Sequence, residues 1–446
     1  MGFQQGLSGL GASSRALDVI SSNVANSGTV GFKASSAVFA DTFASAMTGG
    51  VSNLQVGMGG NTLAVRQSFT QGATTSTNNP LDMAIAGNGF FVVERSNGSD
   101  AYSRNGQFDL DKDGYIVNSL GERLQGYQTA NADGSVSFLG STTPRSILVP
   151  PDGISAKATG NGGLGDPVVI RGNLDSASSS PEKAAVVGPP AVAAVVNPFD
   201  TLDPTSYNYT TSATVYDSLG NDHSLTMFFV KKDPLTDPNE WNVYATFDGK
   251  ALAGTDTPLG ATSSQIGFNS STGSFDATLS TGNPIAVFVG KTTLGTGAAD
   301  LKFNVDLSNF TQRRSASAVL EITQDGSPPG EIASVSVSAS GIVQGRYTNG
   351  ETRDLGQVIL ATFRNPNGLV SLGDNLWAET IDSGQAAIAG PGEGLNGSIG
   401  SGRVEESNVD MSQELVNMII QQRNYQANAQ SIKTQDQILQ TLINLR

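Results

Sequence analysis

The sequence contains no cysteine. Disulfides, thiolate metal sites and a cysteine nucleophile are therefore excluded, and a life outside the cytoplasm is compatible with the composition. Histidine is almost missing too: there is one, His223. Lying among Gly, Asn and Asp, it reads as an exposed turn residue and not as a general base. No Gly-x-Ser-x-Gly elbow, phosphate loop or dinucleotide fingerprint is present. Paired aspartates of the kind a glycosidase needs occur, but an Asp-rich turn explains them more cheaply. These gaps point to a protein that is not an enzyme and needs no cofactor.

Charge is also scarce, at 15% of residues, and unbalanced, with 25 Lys and Arg against 40 Asp and Glu for a net charge of -15. That balance argues against coating nucleic acid or an anionic membrane, because phosphate binding needs clustered cations. No apolar run approaches the ~18 residues of a membrane span, the longest candidate lying near 191–196, so membrane insertion is not expected. Arg15 and Asp18 interrupt the amino end, so it does not read as a cleavable secretory signal, and export would use an uncleaved one.

What the chain has in abundance is glycine, 53 of 446 residues. That length predicts two to four domains, and the glycine favours turn-rich β structure between them. The two ends differ. From 410 to 446, Met411, Leu415, Met418, Tyr425, Ala429, Ile432, Leu439 and Ile443 recur in steps of four and three. This predicts one helix of roughly 55 Å at about 1.5 Å per residue. Its other face carries Gln421, Asn424, Gln426, Asn428, Gln430, Gln435, Gln437 and Gln440 where a solvated helix would normally carry Lys and Glu. At the amino end Phe3, Leu7, Leu10, Ser14, Leu17, Ser21 and Val24 follow the same spacing, and Gly9 and Gly11 weaken the helix. Two such helices are natural partners, so the segments between them should be nested hairpin-fashion. Eight or so buried apolar side chains at about 1.5 to 3 kcal/mol each do not offset ordering a long helix at about 1 to 2 kcal/mol per residue. Both ends are thus expected to be loose in the free monomer and ordered by neighbouring copies.

After the first helix comes Asn23-Val24-Ala25-Asn26-Ser27-Gly28-Thr29-Val30-Gly31-Phe32-Lys33, physically a helix end followed by a turn. Asn23, Val24, Ala25, Asn26, Thr29, Gly31, Phe32 and Lys33 match every fixed place in the signature of the bacterial flagellar axial proteins, the rod and hook family. The carboxyl end resembles the same family in Ser407-Asn408-Val409-Asp410, Glu414-Leu415-Val416, Gln422-Arg423-Asn424-Tyr425-Gln426-Ala427-Asn428 and Thr441-Leu442-Ile443-Asn444-Leu445. The resemblance covers about the first 140 and last 115 residues. Rod members are much shorter, so the large middle insertion resembles the hook members.

The resemblance implies a structural subunit of the hook, a helical tube that joins basal body to filament, transmits torque as a universal joint and passes later subunits along its channel. Implied partners are many copies of the chain itself, other axial proteins at each end, and the hook cap and export apparatus during assembly. A distal rod or hook-associated protein is the nearest alternative, and a cell-surface β adhesin a more distant one. The subunit contacts expected are Leu7, Leu10, Leu17, Val24, Met411, Leu415, Met418, Tyr425, Ile432 and Leu439. Gln426, Gln430 and Gln437 are expected to face the channel, where an uncharged polar wall offers passing chains little to hold.

The expected fold is mainly β, with outer domains nested between terminal α-helices that pair as a coiled-coil-like inner domain. Its parts are 1–33 with 405–446 as the inner domain, 34–77 as a connecting linker, 78–147 with 329–404 as a first β domain, and 148–328 as an outer β domain of one or two subdomains. Gly49, Gly50, Gly57, Gly59 and Gly60 make the linker read as flexible, with Val51, Leu54, Val56 and Met58 spaced among them. Met83-Ala84-Ile85-Ala86 and Phe90-Phe91-Val92-Val93 read as strands about a Gly/Asn turn. Asp109, Asp111, Asp113 and Gly114 fit the start of a calcium loop, but Leu120 stands where a bidentate Glu is needed and the flanks read as strands. A hairpin turn is the better reading, so no metal site is expected. Residues 178–204 read as an exposed excursion, and 195–260 holds nine acidic residues and three lysines.

Overall fold

A computed structural model describes residues 2–41, 59–130, 136–137, 143–162, 167–181, 199–232, 237–251 and 264–444. Most of the expected linker's glycines and apolar residues between 42 and 58 lie outside this set, as do Leu445 and the centre of the 178–204 excursion. Helices stand at both ends, Gly2–Ala25 and Met411–Asn444, and strands fill most of what lies between. The described chain forms two units. One comprises Met1–Pro151, Ile332–Arg346 and Thr352–Arg446, and the other Asp152–Glu331 with Tyr347–Glu351.

In the first unit the outgoing and returning chains run side by side. Thr74–Ser76 pairs antiparallel with Arg403–Glu405, and Met83–Ala86 with Ser398–Ser401. This is the nesting that two pairing ends require. Met83–Ala86 and Phe90–Glu94 are both strands, yet they do not pair with each other: the second joins Asp100–Ser103 and Arg123–Tyr127 in a 13-stranded sheet. Its core gathers Phe90, Val92, Tyr102, Ile359, Ala361, Phe363 and Trp377, with Phe69 edge-on to Phe90 and Trp377 at 5.4 and 5.6 Å. Phe108–Leu110 and Ile116–Asn118 form the hairpin expected around the aspartates, and one Asp111 carboxylate oxygen accepts the Asp113 and Tyr115 amides at 2.9 and 2.7 Å. An oxygen engaged in closing its own turn explains the acidic run without an ion.

Composition reads 34–77 as flexible, but its described parts are ordered. Ser35–Asp41 and Gly60–Gln67 make an antiparallel ladder with an irregularity between Val38 and Phe39. Small and β-branched residues there suit a pleated surface, and the amino-terminal helix lies against it.

The second unit is a sandwich. Five strands, Val168–Asp175, Ile285–Val289, Leu301–Asp306, Phe310–Arg313 and Ala318–Thr323, form one sheet; the other is built on Tyr209–Tyr216, Asp222–Lys231, Glu240–Phe247, Ser264–Phe268 and Phe275–Thr281. One core that includes Val168, Phe229, Trp241, Phe268, Phe303 and Phe310 lies between them, and the Trp241 indole donates to Gln312 Oε1 across it at 3.4 Å. A shared core makes these strands one body, not two.

His223 is a correction. It is only 7% exposed, at the start of strand Asp222–Lys231, with Nδ1 2.8 Å from Asp248 and Nε2 3.4 Å from Asp217. Polar neighbours in sequence suggest a wet turn, but the Asp217 and Asp248 carboxylates satisfy both ring nitrogens and allow the ring to be buried. Asp217 is fully buried, which alone would raise its pKa. The Asn221 and Thr296 side chains and the Asn221 and Leu219 amides, all at 2.8 or 2.9 Å, reverse that and hold it at about 2. With the folded value depressed, the stability it contributes is present above pH 4 and lost as pH falls towards 2. The loss should be about 2 kcal/mol. Unfolding followed by Trp241 at pH 5 and pH 2.5 should show it, and Asp217→Asn should abolish that pH-dependent difference; equal acid losses in both proteins would refute the assignment.

Candidate functional site: the junction of the chain ends

The signature run 23–33 folds into a junction between the amino-terminal helix, the ladder, the body of the first unit and the returning chain. Asn23, 1% exposed, donates to the Ser35 carbonyl at 2.7 Å and accepts the Ser35 amide at 2.9 Å, fixing where the ladder starts. Asn26 and Thr29 close the turn, the Thr29 hydroxyl donating to Asn26 Oδ1 at 3.2 Å. Gly31 has φ +72°, and a Cβ there would lie 2.5 Å from the Asn105 amide nitrogen. Only glycine meets both demands.

Lys33 follows, and its side chain is fully buried. Nζ donates to Glu405 Oε1 at 2.6 Å and to the Thr70 carbonyl at 2.8 Å. Glu405, equally buried, accepts the Gly72 amide on the same oxygen at 2.8 Å and Arg104 Nε on the other at 3.2 Å. Arg104 also donates to the Gly87 carbonyl at 2.9 Å and to that of Gly89. Two cations thus share one carboxylate with no water access. Burial pushes the Lys33 ammonium and the Arg104 guanidinium below their ordinary values, and Glu405 pulls both back. The arrangement ties positions 33, 104 and 405 into one knot.

Asparagines complete it. Asn408 accepts the Ala34 amide at 2.7 Å and donates to the Ser68 and Thr70 carbonyls, Asn375 donates to Val30 at 3.0 Å, and Trp377 Nε1 donates to Gln67 at 2.7 Å. Of this junction, Asn23, Asn26, Thr29, Gly31, Phe32 and Lys33 are legible as a motif. Glu405 and Arg104 are not, being separated from Lys33 by 372 and 71 positions. The one available signal is Lys33 itself, a fixed cation after an aromatic anchor with no acid nearby.

Both helices leave from this junction and pack together, with glycines of the amino-terminal one at the contact. Gly6 and Gly9 face the carboxyl-terminal helix: a Cβ on Gly6 would come within 2.9 Å of Ile432, and one on Gly9 within 2.8 Å of Asn428. Glycines that look like weak points from periodicity are points of close approach. Ser13, Ala16, Ile20 and Asn23 are buried along the same helix, whereas Leu7 is 56% exposed and Leu10, Leu17 and Val24 are half-buried. The partner helix meets it through Asn428 and Ile432, with Met418 half-buried, and leaves Met411, Leu415, Tyr425 and Leu439 exposed. Gln426, Gln430 and Gln437 are exposed too. Ala25 is likewise exposed. Among the described residues of the carboxyl-terminal helix not one side chain is buried. No described helix is long and apolar enough to cross a membrane.

Comparison with known proteins agrees with this geometry. A family described as flagella basal body rod protein matches 3–33, the flagellar hook protein FlgE/F/G D1 domain 84–163, the flagellar basal body protein FlaE D2 domain 173–327, and the flagellar basal body rod FlgEFG protein C-terminal 401–445. The flagellar hook protein FlgE of Salmonella typhimurium is 40% identical over 446 residues, covering 100% of both chains. That of Escherichia coli is 40% identical over 449 residues, again with 100% of each covered, and that of Borreliella burgdorferi 31% over 459, covering 99% of this chain and 98% of its own. In fold, the crystal structure of Helicobacter pylori flagellar hook protein FlgE2 is similar at a TM-score of 0.50 and 16% identity, over 73% of this chain and 98% of that one. Matched from end to end at this identity, with paired terminal helices around a β body, the chain belongs to the flagellar hook protein family.

Proposed function

We propose that the chain is the structural subunit of a bacterial flagellar hook, polymerising into a helical tube outside the cell. In that tube it bends as a universal joint and lines a channel for later subunits. The observation that carries this is the carboxyl-terminal helix: 34 residues long, it has no buried side chain among those described and exposes Met411, Leu415, Val416, Ile419, Ile420, Tyr425, Ile438, Leu439 and Ile443. A helix so sparsely covered gains its stability from partners outside the chain. Residues 1–33 with 405–446 act as the inner, assembling domain, 34–77 as a connection, 78–147 with 329–404 as the next layer, and 148–328 as the outermost. Contacts run head to tail and do not close into a ring. Partners at the two ends are other axial proteins, with the hook cap and export apparatus engaged during growth, and no catalysis is involved.

Concentrated pure protein should form short curved tubes under the electron microscope; dispersed particles at all concentrations would remove the reading. Gln426, Gln430 and Gln437 face the channel. Replacing all three by Leu should leave the tubes intact but slow filament growth in cells about tenfold, because apolar walls hold unfolded chains, and normal growth would remove the channel assignment.

A further inference from the structure

Between the two terminal helices and the strand Ser35–Asp41 runs a groove made of two adjoining depressions of about 170 and 360 Å³, which share Phe39 and Gln421. Its lining mixes small apolar side chains, Ala16, Val19, Ile20, Ala37 and Ile420, with uncharged polar ones such as Ser36, Asn417 and Gln421, and holds one charged group. Glu414, in the first turn of the carboxyl-terminal helix, lines the groove, and its Oε2 has neither solvent access nor a hydrogen-bond donor. A carboxylate oxygen does not stay so placed unless something else completes it. The two helices carry three cations, Arg15, Arg423 and Lys433, and none makes an ion pair among the described residues. Arg423 ends an exposed apolar row at four-residue steps, Leu415 and Ile419, and Arg15 stands eight residues beyond the exposed Leu7.

We propose that this groove receives a terminal helix of a second copy of the chain, and that the half-buried Glu414 carboxylate turns outward to accept an arginine of that copy. This rests on the self-assembly proposed above and adds the site and its selectivity. Charge complementarity argues for the occupant: the groove offers an unpaired carboxylate among uncharged side chains, and the helices offer apolar rows flanked by unpaired guanidinium groups. An arginine fork suits a carboxylate better than a lysine point charge does. Groove and row are different surfaces of one chain, so each copy offers both and the contact propagates without closing. Leucine side chains supply area, while the Glu414 pair sets the register in which helices of neighbouring copies engage, since a mispaired register leaves the carboxylate without a counter-charge.

The test is charge reversal and its repair in the full-length chain. Glu414→Arg should raise the concentration needed for tube formation about tenfold or more, with the circular dichroism of the monomer unchanged. Combining it with Arg15→Glu or with Arg423→Glu should bring that concentration back to within about twofold of the parent for one of the two pairs. Tubes from Glu414→Arg at the parent's concentration would overturn the proposal. Loss of tubes repaired by neither second change would overturn it as well, giving the groove to another segment of the same chain. Failure of the parent itself to form tubes would instead sink the functional reading, and this inference with it.

Discussion

Replacing Glu405 by Gln should destabilise the first unit by about 3–5 kcal/mol, because it leaves Lys33 and Arg104 buried with no counter-charge. Glutamine keeps one oxygen for Lys33 and the Gly72 amide, while its NH2 group replaces the oxygen that accepts from Arg104 Nε, so the loss combines the missing charge with one hydrogen bond. Tryptophan makes the measurement clean: there are two, Trp377 in the core of the first unit and Trp241 in that of the second. In a Trp241→Phe background, urea unfolding followed at Trp377 should shift by the full amount. In the complementary Trp377→Phe background, Trp241 should report no change. Adding Lys33→Met to Glu405→Gln should recover part of the loss, since one stranded cation is then removed; a double change costing the sum of the two single ones would mean that Lys33 and Glu405 do not interact. A shift below about 1 kcal/mol, the level of an exposed pair, would refute the knot as the tie between chain ends.

The second large effect separates folding from assembly. Leu415 is 45% exposed, so Leu415→Asp should change monomer stability by less than about 0.5 kcal/mol. In the polymer the same position should be covered, where a leucine is worth about 1.5 to 3 kcal/mol and an aspartate adds the cost of burying charge. The concentration needed for polymerisation should therefore rise about ten- to a hundredfold or beyond reach. Light scattering reads this while circular dichroism shows the β units intact. Normal polymerisation would mean that the exposed row is not a contact between subunits.

Much of this was legible in the sequence. The helices at both ends, the strand pattern between them and the hairpin at Asp111 follow from periodicity and turn chemistry, which are local. The errors are long-range. Apolar spacing points to Leu7, Leu10 and Leu17 and passes over Gly6 and Gly9, where the helices come close, because close approach needs small residues that a hydrophobic count treats as gaps. His223 is buried for a reason that is also non-local: the nearer of its two carboxylate partners, Asp248, lies 25 positions along the chain. Glu405 was missed because nothing near it in the chain shows that its counter-charges lie at 33 and 104.

The antiparallel pairing of 74–76 with 403–405 and of 83–86 with 398–401 works like the stem of a nucleic-acid hairpin. Once the stem is clamped, the chain beyond it is a closed loop, and doubling the length of such a loop adds only about 0.6 kcal/mol of closure entropy. Evolution can therefore enlarge, trim or exchange the far end with little effect on the two helices.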